Sequence, residues 1–332
     1  MRIIFINRGS PEGISGGTKK FYRCAEMLAE EGLDAWVWQR GGVANWISTR
    51  AKVLSEPNLR TLPGDILVLP EVLDASLVTL AKDPSVTTKV LFCQNQYYLL
   101  NYLSNPLLPG RRISDLGFAA VFCPSKVCAD FVSRVFHQDP VHVVPSSVDP
   151  TIFAPASKRL QIACAPRKMG AELNLVRAIL VTKYPESASV PWVPIHEVNE
   201  AEVARILGES AIYFSTSHME SLGIFPLEAM SAGCAVVGFH GYGGLEYATT
   251  HNGRWFGSDD LEEAADALHE TITAYREGAD PYHARVHGGF STVAQFRPEA
   301  TRRTLLEAIR QVLALQAQGP RVHRVSQLGF PA

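Results

Sequence analysis

The sequence predicts an α/β protein built from two doubly wound domains, and three observations lead there. Short apolar runs alternate with stretches of helical composition, first at Arg2–Ile6, Ile66–Leu69 and Val90–Cys93, later at Leu160–Cys164 and Ala211–Phe214. Strands of a parallel sheet read this way because helices bury both of their faces. A chain of 332 residues exceeds the size at which one hydrophobic core stops growing, which points to two domains. Several strands end at a glycine-bearing loop that leads into a helix, an arrangement that offers main-chain N–H groups to an anion.

Composition narrows the function classes. With 46% hydrophobic and 19% charged residues there is material for packed cores, and a formal net charge of −2 argues against a general nucleic-acid binder. Six cysteines (24, 93, 123, 128, 164 and 234) fall mostly within apolar runs, with no C-x-x-C pair and no metal-ligand spacing. They are expected to be buried free thiols of a reducing compartment. No signal peptide precedes the first strand, and no apolar run reaches the roughly 18 residues of a membrane span. A cytoplasmic protein is expected, at most peripheral at the inner face of a membrane.

In the first domain, taken as residues 1–152, the opening strand leads through the loop Asn7–Gly17 into a helix expected over Thr18–Glu31. Phe21, Cys24, Ala25 and Leu28 share one face of it, and Gly32 ends it. The order strand, glycine pair (Gly16, Gly17), helix suits phosphate, although an ordinary strand–helix turn reads the same. The spacing is not G-x-G-x-x-G, which speaks against a dinucleotide site. Lys19 and Lys20 read as solvated helix residues that could add charge there. Ala35–Trp38 is the next strand, followed by a helix-ambiguous stretch to about Leu54 and the turn Pro63-Gly64-Asp65. Ile66–Leu69 precedes a helical segment to about Lys82, and Val90–Cys93 is a fourth strand ending in Gln94-Asn95-Gln96-Tyr97-Tyr98. Side-chain amides at a strand's carboxyl end suit sugar hydroxyls and tyrosines supply a stacking face; a capped turn with packed tyrosines is the plain alternative. Residues 97–112 are aromatic and apolar and end in Arg111-Arg112, so they are either a helix packed in the core or an element facing an acceptor or an anionic membrane. A strand over 119–125, a helix over 126–136 and the run Val141–Asp149 close the domain, with Pro150 and Pro155 marking a linker.

The second domain, taken as 153–297, opens with the strand Leu160–Cys164. Arg167 and Lys168 follow at its carboxyl end, just before a helix expected over 171–183. By the switch-point rule for open sheets, cations there belong in a ligand cleft, arginine as a bidentate fork and lysine as a mobile point charge. Surface cations unrelated to a ligand are the alternative. Pro191–Ile195 leads to a helix over 199–208, and helices are expected over 259–277, 281–296 and 298–316. Between them lies the stretch around which the chain is organised, AIYFSTSHMESLGIFPLEAMSAGCAVVGFHGYGGLE over 211–246. The strand Ala211–Phe214 is followed by a loop with Glu220 and Gly223, a helix opened by Pro226 and carrying Glu228, the stop Gly233, and a second strand Cys234–Gly238. Helix-start amides favour an anion while two carboxylates favour hydroxyls. One ligand class meets both demands, a nucleotide sugar. Taken singly, Glu220 reads equally as a solvated loop residue and Glu228 as a complement to the helix dipole. His218, two residues before Glu220, is either a donor contact or a packed loop histidine.

The string from Glu220 to Gly233 resembles the E-x7-E signature of the retaining glycosyltransferases of family 4, also called group 1, which have the GT-B fold of two Rossmann-like domains facing each other across a cleft. Gly243-Gly244-Leu245-Glu246 resembles the family's next loop, and Gly16-Gly17 its N-terminal glycine pair. The resemblance implies a sugar transfer from a nucleotide-diphosphate sugar, UDP or GDP type, to a hydroxyl of a glycan, lipid-linked or small-molecule acceptor, without cofactor. It implies ribose contacts for Glu228, sugar contacts for Glu220, β-phosphate contacts for the amides of Gly223, Ile224 and Phe225, donor-phosphate contacts for Gly16 and Gly17, and donor contacts for Ser221 and Leu222. It further implies that Arg167 and Lys168 steady the departing diphosphate, and that the helix 298–316 crosses back onto the first domain. Many members carry a histidine where this chain has Gln94, Asn95, Gln96 and Tyr97, which become candidate acceptor or sugar contacts. The absence of D-x-D from the sequence argues against a metal-dependent arrangement, and no Walker A, H-E-x-x-H or G-x-S-x-G occurs. Other readings on the same residues are a catalytically silent nucleotide-sugar binder, a GT-B epimerase, and a nicotinamide-dependent enzyme, the last opposed by the missing G-x-G-x-x-G.

Overall fold

A computed structural model describes residues 1–82, 88–103, 113–318 and 327–329. The chain divides into two compact units, one running from Met1 to Pro145 and resuming at Thr301, the other spanning Ser146–Ala300.

The first unit is built in the order β1 (Ile3–Asn7), α1 (Gly16–Glu30), β2 (Ala35–Gln39), β3 (Lys52–Leu54), β4 (Asn58–Arg60), β5 (Ile66–Pro70), α2 (Ala75–Lys82), β6 (Lys89–Phe92), α3 (Gln96–Leu103), β7 (Ala120–Cys123), α4 (Lys126–Phe136) and β8 (Val141–Val143). Seven of these strands form one parallel sheet in the order β3-β2-β1-β5-β6-β7-β8. The side chains of β1 show why its sequence is apolar throughout. Ile4 and Ile6 enter a core layer with Leu77, Leu99 and Val132, while Ile3 and Phe5 enter the opposite layer with Phe21 and Leu28. Fully burying such a side chain contributes about 1.5–3 kcal/mol, and period-2 alternation across two covered faces collects it twice per strand.

The second unit continues with β9 (Arg159–Cys164), α5 (Gly170–Lys183), β10 (Trp192–Pro194), α6 (Glu200–Glu209), β11 (Ser210–Thr216), α7 (Ile224–Ser231), β12 (Ala235–Phe239), β13 (Arg254–Phe256), α8 (Leu261–Glu277) and α9 (Asp280–Val293). Its parallel sheet runs β10-β9-β11-β12-β13. Ile212 and Phe214 face one core layer and Tyr213 the other. The Lys158 ammonium donates to the carbonyls of Leu207 (2.9 Å), Ser210 (2.9 Å) and Ala232 (2.6 Å), a cation placed where the carbonyls at the ends of helices α6 and α7 run out of internal N–H donors. The chain then forms α10 (Pro298–Gln318), whose Leu305, Ala308, Ile309 and Val312 pack in the same layer as Phe21 and Leu28 of the first unit. A short strand β14 (Gln327–Gly329) pairs antiparallel with β4.

Several expectations are corrected. Helix α1 begins at Gly16 rather than Thr18, because the Ser15 side chain accepts the Thr18 N–H (3.1 Å) and moves the cap upstream of the glycine pair. Lys20 is not solvated: it is buried, its ammonium donates to the Pro145 carbonyl, and it lies 5.6 Å from the Phe92 ring centroid. Thr301 Oγ1 donates to the same carbonyl at 3.0 Å. The ambiguous stretch before Leu54 ends in a strand, β3, because Val53 pairs beside Val37. Residues 104–112 of the proposed acceptor- or membrane-facing run lie outside the described residues.

Candidate functional site

In the second unit, β11 ends at Thr216 and α7 begins at Ile224, so the intervening loop sits at the carboxyl edge of the sheet. Gly223 caps α7 with a φ of +78°, a conformation open to glycine at no steric cost, and no side chain caps the helix start. The first-turn N–H groups of Ile224 and Phe225 thus receive no bond from a capping side chain, the arrangement that favours an anion. Pro226 is the third helical residue, where a missing N–H costs nothing.

Two contacts hold this loop. The Tyr247 hydroxyl donates to the Gly223 carbonyl at 2.7 Å. The backbone at Gly243 passes so close to the loop that an added Cβ would lie 2.4 Å from Leu222 N and 2.5 Å from Ser221 C. Ser221 and Leu222 are buried beneath that crossing.

The charged groups converge on the same loop. Lys168 follows β9, and its ammonium lies 2.7 Å from Glu220 Oε1 and 3.4 Å from the His218 carbonyl. Arg167, next to it, is exposed, and its guanidinium makes no ion pair or hydrogen bond among the described residues. Both residues lie in the turn between β9 and α5. His218 is also exposed. Glu228 is only 2% exposed on α7. The buried Tyr213 hydroxyl is pushed well above its ordinary range by burial first and then by neighbouring groups that include the Glu228 and Glu220 carboxylates. Burial, with Glu220 behind it, raises Tyr247 in the same direction. Lys168, Glu220, Glu228 and the amides after Gly223 thus form one constellation within the second unit.

The residues proposed in the first unit form their own group. Gly16 and Gly17 are the first two residues of α1. Gln94 Nε2 donates to the Gly17 carbonyl at 3.3 Å. Asn95 and Gln96 are buried, and neither amide atom of Gln96 has a hydrogen-bond partner among the described residues. Tyr97 packs beside Phe131 with ring centroids 5.9 Å apart. Of the three amides, Gln94 alone is not buried.

Sequence reasoning missed two residues here. Tyr247 directly follows the Gly243–Glu246 turn, and Glu71 is an acid directly after the apolar β5; a polar residue at the carboxyl end of a buried strand is the signal that could have found the second. As for metal ligands, the sulfurs of Cys93, Cys123 and Cys128 lie within 4.8 Å of one another, Cys93 being brought to the other two from β6. They belong to the apolar core of the first unit, and burial pushes the Cys93 and Cys123 thiols well up, which holds them protonated. All six cysteines are buried free thiols.

Residues 193–281 match the family model "Glycosyl transferases group 1". The chain is 26% identical over 301 residues to an alpha-1,6-glucosyltransferase of Actinobacillus pleuropneumoniae serotype 7 (strain AP76), covering 88% of each chain. Among solved structures it resembles sucrose-phosphate synthase from Thermosynechococcus elongatus, with a TM-score of 0.71, 16% identity and coverage of 95% and 99% of the two chains. It also resembles Anabaena HepE in complex with UDP-glucose, with a TM-score of 0.64, 11% identity and coverage of 94% and 100%. The fold is GT-B, and the family match with the curated relative supports a glycosyltransferase of group 1.

Proposed function

We propose that this group 1 glycosyltransferase moves a hexosyl unit from a nucleotide-diphosphate sugar, UDP-glucose being the first donor to try, to an acceptor hydroxyl with retention of configuration and without a metal. The observation that carries the reading is the single loop on which a glycine-capped helix start, the Lys168–Glu220 pair and the buried Glu228 meet. In this scheme the amides of Gly223–Phe225 bind the β-phosphate, Glu228 binds the ribose hydroxyls and Glu220 the sugar. Lys168, released from Glu220 when the donor enters, neutralises the diphosphate, with exposed Arg167 as a second cation. Preorganised charge at a leaving group is worth about 2.7–4 kcal/mol per group.

The acceptor oxygen bonds to the anomeric carbon on the face from which the diphosphate departs. The bond from that carbon to the β-phosphate oxygen breaks, and the acceptor proton passes to a phosphate oxygen. No side-chain base is required, so amides at 94–96 in place of a histidine do not bar the transfer. The lack of D-x-D fits a donor steadied by lysine and amides. The named activity of the Actinobacillus relative and the UDP-glucose held by Anabaena HepE favour glucose and uridine. The acceptor is a glycan, a lipid-linked sugar or a small molecule.

The test is product analysis with UDP-glucose, GDP-mannose and dTDP-sugars against an acceptor panel. An α-linked product from an α-linked donor, formed in the presence of a chelator, is expected. A β-linked product, or abolition by the chelator, contradicts the scheme. Binding of a nucleoside diphosphate without turnover of any donor would instead leave the silent-binder reading, which the burial of Asn95 and Gln96 favours.

A further inference from the structure

Glu71 stands at the carboxyl end of β5, only 5% exposed. Its Oε2 accepts the main-chain N–H of Gln94 at 3.2 Å, and the Asn95 N–H also bonds to the carboxylate. The Gln94 side chain turns the other way and donates to the Gly17 carbonyl at 3.3 Å. A Cβ added to Gly17 would come 3.3 Å from Gln94 Nε2, so this amide lies directly against the first turn of α1. One buried carboxylate thereby links three elements that are remote in sequence: the end of β5, the loop after β6 and the start of α1.

A buried carboxylate is costly unless hydrogen-bonded, and one placed to accept two successive loop N–H groups fixes the direction of that loop. We propose that Glu71 is a positioning residue that, through Gln94, sets a substrate-binding site at the start of α1. This rests on reading Gly16, Gly17 and Gln94 as parts of that site. Glu71 itself touches no substrate. Its action is conditional on charge, since the ionised form accepts both N–H groups and the protonated form gives up part of that capacity. Burial pushes the carboxyl up to about 7, against the pull of the Gln94 and Asn95 N–H bonds, and the groups that face it are the thiols of Cys128 on α4 and Cys123 on β7. Burial holds the Cys123 thiol protonated near neutrality, so it adds no charge beside the carboxylate in that range.

The experiment uses the full chain as wild type, Glu71→Gln and Glu71→Asp. Amide resonances of Gln94 and Asn95, followed by ¹⁵N NMR from pH 5.5 to 8.5, are expected to titrate together in wild type with a midpoint near 7. They should lose that titration in Glu71→Gln and keep a shifted one in Glu71→Asp, which also serves if the glutamine variant fails to fold. With donor and acceptor, Glu71→Gln is expected to lower kcat 10- to 100-fold while leaving nucleoside-diphosphate affinity within about twofold. Gln94 and Asn95 amides that do not respond to pH in wild type overturn the inference, as does a Glu71→Gln enzyme with unchanged kcat. Absence of any nucleoside-diphosphate binding would sink the transferase reading instead, and the NMR titration would still decide whether Glu71 positions Gln94.

Discussion

The Lys168 ammonium lies 2.7 Å from Glu220 Oε1, so the cation proposed for the donor's diphosphate is paired with the carboxylate proposed for its sugar. The side chains are 18% and 29% exposed. An ion pair open to solvent to that degree contributes at most about 1 kcal/mol, and its value here lies in holding both groups at the loop before α7. Lys168→Ala is expected to leave stability within about 1 kcal/mol of wild type while lowering kcat/KM by roughly 10²–10³, the effect of removing one preorganised charge. Steady-state kinetics beside a denaturant titration checks both halves. Arg167→Ala, one residue away but exposed, should cost far less activity.

Gly243→Ala tests the crossing of the two loops. Its new Cβ would sit 2.4 Å from Leu222 N, backbone that cannot rotate away. Overpacking of this kind costs about 1–3 kcal/mol, and relief requires moving Ser221 and Leu222, the lead-in to the first turn of α7. Weakened nucleotide binding together with a lowered Tm is expected; a Tm drop with unchanged affinity would detach the crossing from the site.

Tyr247→Phe removes the 2.7 Å bond to the Gly223 carbonyl and little volume. A hydrogen bond of this type contributes about 0.5–1.5 kcal/mol. In a unit of this size that corresponds to a Tm lower by a few degrees, on the order of 2–4 °C per kcal/mol. The larger effect should fall on nucleotide affinity, because the left-handed cap of α7 loses its tether.

Glu71 makes stability depend on pH in a definite direction. Its carboxyl sits at about 7 in the folded chain against an ordinary value of 4.5. A raised carboxyl binds its proton more tightly folded than unfolded, so its contribution is complete below about pH 4.5 and is lost as pH climbs to about 7. The loss is on the order of 3 kcal/mol. Denaturant titrations between pH 5 and 8 should show wild type losing stability across this window more steeply than Glu71→Gln, which has no proton to release.

How far the sequence carries is visible in particular residues. Continuous apolar strands such as Ile3–Ile6 and Ala211–Phe214 announced parallel sheets, since burial on both faces leaves no other reading. Helix starts were less legible: α1 begins two residues early because Ser15 caps it, a choice that depends on the loop before it. Lys20 read as solvated because its partner, the Pro145 carbonyl, lies 125 positions away. The second-unit residues stood close together in one string, and only Lys168 had to be brought in from another strand. Tyr247 was invisible for the opposite reason, and Glu71 showed only as an acid at the end of an apolar strand. Each acts on main-chain atoms of a distant loop, and main-chain atoms leave no trace in residue identity.

The most direct measurement is a thermal-shift titration with UDP, GDP, dTDP and NAD on wild type and Glu228→Ala. A ligand at about 100 times its dissociation constant stabilises the fold by about 2.7 kcal/mol, a readily measured shift. The account predicts a shift with one nucleoside diphosphate, UDP first, that is lost in Glu228→Ala. A shift with NAD alone, or a diphosphate shift that survives in Glu228→Ala, would contradict it.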